Sequence, residues 1–281
     1  MLKIERRFEK GKLSIKDLNK WASGNSPKEA FFVVQNFWGA FDIKMPKIVT
    51  DSKITGFDFT YPDRVSIGVE EILEQRKVFE RTNYKLSLDA ILRTTLGEEY
   101  THYIHYAKAP ENFENEEKIL YEWICGRFHK AFENYAALNV QIEGIGSLGR
   151  KEVDRNLGLS DYDKFQQKKL EIGSSKTNEE FRKNSPMVLP VLNKLSSSGG
   201  YANLNENELR VDAYFADFIH NTMSGAGQYV VASELEKKWS GRFPQLIKTV
   251  LEPKKEFGDM YFEFIGTWFP NLKQFLEVYL L

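Results

Sequence analysis

The chain holds one cysteine, Cys125, among 281 residues. A lone thiol cannot close an intramolecular disulfide, and it cannot build a cysteine-rich zinc knuckle or an iron–sulfur cluster within one chain. A reducing compartment is the simplest setting. Long apolar runs are also missing. No stretch approaches the roughly 20 apolar residues of a membrane span, and the closing FLEVYLL is too short. The opening MLKIERRFEKGKLS has no apolar signal-peptide core. The expectation is a soluble, cytoplasmic protein with no membrane span. Charge of one sign is lacking too, since 39 Lys and Arg meet 40 Asp and Glu. No global field therefore draws the chain to nucleic acid or anionic lipid. With no helix-turn-helix or zinc-finger spacing either, no nucleic acid is expected as a partner.

What the sequence does have is ordinary globular composition, 42% apolar and 28% charged, which argues against disorder. Twenty-one Phe and 13 Tyr point to an aromatic-rich core. The pattern along the chain predicts an α+β fold, mostly helical, with a small antiparallel sheet. SPKE at 26–29 reads as a helix start, with Ser26 as cap, Pro27 in the first helical position and Glu29 completing a capping box. MPKIVTDS reads as a strand. TGFDFTYPDRVSIGVE reads as two more around a YPD turn, with Phe57 and Phe59, then Val65, Ile67 and Val69, at alternate positions. A helix follows from Ser87 through LDAILRTTLGEEYTHYIHYAKA, and Pro110 closes that region.

A long helix is then expected from near 116, ended by Gly144 and Gly146. Residues 147–210 are polar and punctuated, with short helices expected at 160–171 and 188–195 and a flexible joint at SSSGG, 196–200. The remainder is helical. A soft boundary near 150 separates residues 1–150 from a mainly helical domain or extension, 151–281.

Histidine is scarce, four in all, and two of the four fall in one helix, in TTLGEEYTHYIH. Its pentad EEYTH differs from the zinc-hydrolase motif HExxH by one residue. On a helix, Glu98 and His102 lie one turn apart on one face and can converge on an ion. Glu99 is rotated by about 100° and can address a water beside it. A third ligand must come from elsewhere, and Glu133 in FENYAA, on the next long helix, is the candidate. Small neighbours Ala136 and Ala137 would permit close packing there.

This order of elements resembles the zincin metallopeptidase fold, and in particular its gluzincin branch, whose third zinc ligand is a glutamate on the helix after the motif. The resemblance covers roughly residues 30–145. It implies that Glu98, His102 and Glu133 hold the metal, that Glu99 is the general base, and that residues around 63–69 hold an extended peptide or protein substrate. The departure is Glu98 in place of histidine. Two carboxylates and one imidazole leave the bound water in a less positive field. They also suit harder divalent metals than zinc.

The implied cofactor is thus zinc or another divalent metal. The alternative is a catalytically inactive zincin-like structural or protein-interaction module that holds none. His105 shares the motif face as an accessory or substitute ligand, or else packs against the sheet. His129 can orient the Glu133 carboxylate, and His220 can stabilise an oxyanion if the C-terminal half closes over the site. Glu99 and His102 also make an ExxH pair, but di-iron bundles need a second ExxH, which the chain lacks. GIGSLGRK, 144–151, lacks the phosphate-loop spacing and reads as a helix end and loop. Cys125 reads as core.

Overall fold

Serine 87 begins the helix on which the fold turns. Its extended backbone (φ −68°, ψ 154°) places its hydroxyl to accept from the Ala90 amide at 3.0 Å. That satisfies one of the donors left open at a helix start. The computed structural model describes residues 2–50, 57–60, 63–70, 72–73, 76–77, 86–124, 128–159, 162–198 and 201–279. It is 81% helical with a small three-stranded mixed sheet, as the sequence pattern predicts for a mostly helical α+β chain. Among the described residues, no helix is long and apolar enough to cross a membrane.

The elements run α1 (Leu2–Glu9), α2 (Ile15–Ala22), α3 (Ser26–Trp38), β1 (Lys47–Thr50), β2 (Phe57–Thr60), β3 (Arg64–Ile67) and α4 (Leu88–Lys108). Then come α5 (Pro110–Ile124), α6 (Phe128–Leu157), α7 (Tyr162–Ser198) and α8 (Glu206–Ala226). A π-helical turn (Gly227–Val231) leads to α9 (Ala232–Trp239), α10 (Phe243–Leu246), α11 (Lys255–Trp268) and α12 (Pro270–Tyr279).

Several boundaries depart from the sequence reading, each for a local reason. Asn25, not Ser26, is the α3 cap, and its side chain makes no capping bond. Pro110 opens α5 instead of closing a region, because a first helical position needs no amide donor. α6 does not stop at Gly144 or Gly146 and continues to Leu157. Neither glycine takes the left-handed conformation of a helix end. The two short helices expected at 160–171 and 188–195 are one helix, α7, with Pro186 and Pro190 inside it. Four residues apart, those prolines place their lost bonds on one side of the helix. Gly199 and Gly200 of the expected joint lie outside the described residues, as do the Tyr61–Pro62 turn and Cys125.

The sheet has order β1-β3-β2, with β2 antiparallel and β1 parallel to β3. It is therefore mixed and not wholly antiparallel. Val65 faces Phe59 across the ladder, and Val65 and Ile67 are fully buried. Phe59 packs edge-on against Tyr103 of α4 at 5.6 Å between centroids. The central place of β3 corrects one implication of the zincin resemblance. The strand near 63–69 carries ladder partners on both sides, so it has no free edge to hold an extended peptide.

The chain divides into two units, each assembled from separate stretches, and not at a single point near 150. The first comprises Met1–Ala109, Ile145–Lys169 and Trp239–Thr249, and the second Pro110–Gly144, Leu170–Lys238 and Val250–Leu281. In the first, Trp38 is fully buried and packs edge-on against Phe243. Phe31 meets Tyr100 edge-on. In the second, Phe181 stacks on Phe218 at 4.7 Å and meets Phe275 edge-on at 5.5 Å.

Candidate metal centre

The α4 helix and the residues of α6 beyond Gly144 face each other as an antiparallel pair. Their partners descend on one helix as they ascend on the other. Thr94 donates to Asp154 at 2.6 Å, Glu98 pairs with Arg150 at 3.1 Å, and His102 lies against Gly146. The backbones come close because glycines line the crossing. A Cβ on Gly97 would lie 3.1 Å from the Gly149 carbonyl oxygen. A Cβ on Gly146 would lie 2.5 Å from His102 Nε2, so no side chain fits where the imidazole stands. GIGSLG is thus a packing surface inside a helix, not a loop.

The facing sides are polar although they are buried. Thr94, Thr101, Ser147 and Arg150 are all 3% exposed or less. Burying such groups is costly unless they are hydrogen-bonded, and here the bonds are made within α4, from α3 and across the helix pair. The Thr101 hydroxyl donates to the Gly97 carbonyl at 2.8 Å and accepts from the Trp38 indole at 3.1 Å. Glu98 Oε1 accepts from the Ser147 hydroxyl at 3.2 Å, and Oε2 from Arg150 Nη1 at 3.1 Å.

Glu98 and His102 stand one turn apart on α4, on the face turned toward these α6 residues. A carboxylate oxygen and an imidazole nitrogen so placed are donors that zinc accepts and harder metals also take. Each Glu98 oxygen already accepts one hydrogen bond. A carboxylate oxygen has two lone-pair sites, so one remains on each oxygen for an ion.

Glu133 lies on α6, in the second unit. It is exposed beside a surface hollow with Asn134, Pro253, Lys255 and Phe262. Glu99 is half-buried on α4. His105 is fully buried, and burial, with His102 nearby, pushes its imidazole down to about 3, so it stays neutral across the physiological range. His129 lies within α6 and His220 is exposed on α8. Tyr135 is buried, and its phenol is pushed up first by that burial and then by the charges of Glu116 and Glu143.

One signal in the sequence could have found the site. Asn139, Glu143, Ser147, Arg150 and Asp154 recur every three or four residues along α6, and all are 8% exposed or less. A polar residue each turn along an otherwise apolar, glycine-bearing helix marks a buried polar face, since a solvent-facing stripe would not be flanked by Val140, Ile142, Ile145 and Leu148. The chain matches no family model, curated protein or solved structure.

Proposed function

We propose that this chain is a divalent-metal-binding protein whose ion is held by Glu98 and His102. The observation that carries the reading is the placing of these two donors one turn apart on α4, with Ser147 and Arg150 fixing the Glu98 carboxylate. Hydrogen bonds to a ligating carboxylate set its orientation and tune its basicity. A bound ion would supply Lewis acidity to a coordinated water. Glu99 is the residue of this chain suited by its helical position to take that water's proton, in keeping with a metal-dependent hydrolase.

A second reading has its own support. Glu98 already has a buried cationic partner in Arg150, and β3 has no free edge for a peptide. Both favour a catalytically silent zincin-like module in which the polar face specifies the packing of α4 on α6. Elemental analysis after equilibration with zinc, manganese or cobalt separates the two. The metal reading expects one ion per chain, with affinity falling about 10- to 100-fold or more in His102→Ala. A chain that takes up no ion under any of these conditions leaves only the second reading. Hydrolysis has its own test: Glu99→Gln should bind metal as the wild type does and lose any peptide cleavage the wild type shows.

A further inference from the structure

Phe32 is 61% exposed on α3 and stands between two hollows in the surface of the first unit. One hollow, of about 570 Å³, is lined by Lys28, Glu29 and Arg93. The other, of about 330 Å³, is lined by Asn36 and Glu152. Phe32, Val33 and Asn156 line both. Lys28, Phe32 and Asn36 follow one another at one-turn spacing, so this face runs along α3 for roughly 12 Å. We propose that a second copy of this chain docks here as a two-fold dimer. Phe32 of each copy seats in a hollow of the other, and Lys28 of each meets Glu152 of the other.

Charge selects the occupant. The hollow toward the start of α3 carries two cations against one carboxylate, and the hollow toward its end carries a carboxylate alone. In the first, Arg93 is already paired with Glu29 at 3.2 Å. That leaves Lys28, which has no ion pair among the described residues. In the second, Glu152 meets Arg155 at 3.3 Å, a surface contact within one helix that is worth little. A face positive at one end and negative at the other attracts its own copy when a two-fold axis reverses the order of the ends. A partner of one charge would match only one end. Phe32 lies between the ends and so falls near the axis, where interface cores favour an aromatic ring.

The test is sedimentation equilibrium of the full-length chain from low micromolar to near-millimolar concentration. The wild type should associate reversibly and stop at two copies. Phe32→Ser should weaken the dimer by about tenfold or more. Lys28→Glu and Glu152→Lys should each weaken it by about tenfold or more, because like charges then face each other twice. Mixed in equal amounts, those two variants should pair with each other at near wild-type strength, since each offers the charge the other lacks. A wild type that stays monomeric throughout overturns the proposal. So does a dimer indifferent to folded Phe32→Ser, because the copies then meet through another face. A mixture that associates no better than its two components also overturns it. Neither charge reversal falls in the core, so the mixture decides the case even if Phe32→Ser does not fold.

Discussion

The α4–α6 face and the aromatic cluster around Phe181 are both buried, yet they are built from opposite materials. Around Phe181, rings of Phe215, Phe218 and Phe275 meet at stacked, tilted and edge-on angles. Such contacts gain from area and shape, and they carry no charge. Along α4–α6 the groups in contact are Thr94 with Asp154, Glu98 with Ser147 and Arg150, and His102 with a bare glycine. A buried ion pair is often no more stabilising than a well-packed apolar pair of the same volume. The polar face is thus a poor choice for stability alone and a good place to look for chemistry. The aromatic cluster does the opposite work.

Four perturbations would break or sharpen this contrast. Phe181→Ala removes a fully buried ring and should cost about 3–5 kcal/mol, read as a lower urea midpoint, with metal affinity unaltered. A matching loss of metal binding would erase the distinction between the two regions. Glu98→Ala takes the carboxylate from beside buried Arg150. It should cost about 3–5 kcal/mol, the usual penalty for deleting one partner of a buried pair. A loss below about 1 kcal/mol would mean the pair behaves as a surface contact.

The third perturbation is pH. His105 has a folded pKa below that of a free imidazole, so the unfolded chain binds more protons between about pH 6.5 and about 3. Stability contributed by its neutral form is full above pH 6.5. It falls by roughly 1.4 kcal/mol per unit as pH drops through that window. Urea titrations at pH 7, 6 and 5 should show the decline, and His105→Leu should flatten it. Parallel curves for the two proteins would remove His105 as the cause. The smallest effect is expected from Thr94→Val, which loses the bond to Asp154 and should destabilise by about 1–2 kcal/mol. No change in midpoint would mean the outermost rung of the helix pair contributes nothing.

Much of the local structure was legible in the sequence because it depends on near neighbours. Ser87 begins α4 by a capping bond to a residue three positions on, and the alternation of Val65 and Ile67 marks β3. Glu98 and His102 share a face by helical spacing alone. What was not legible depended on partners distant in the chain. Gly144 and Gly146 read as a helix end because glycine usually ends helices, whereas Gly146 is bare because the His102 ring fills its place. The register between α4 and the α6 residues beyond Gly144 is set by Gly97 lying against Gly149, far away in the chain. The parallel pairing of β1 with β3 is likewise a long-range choice that alternation cannot reveal.

The central claim is that Glu98 and His102 hold a divalent ion. It is tested most directly by anomalous diffraction from crystals equilibrated with zinc or manganese, collected at the metal edge. The account expects one peak within about 2.0–2.2 Å of a Glu98 oxygen and a His102 nitrogen. A fully loaded crystal with its peak elsewhere, or one in which neither donor touches a metal, would contradict it.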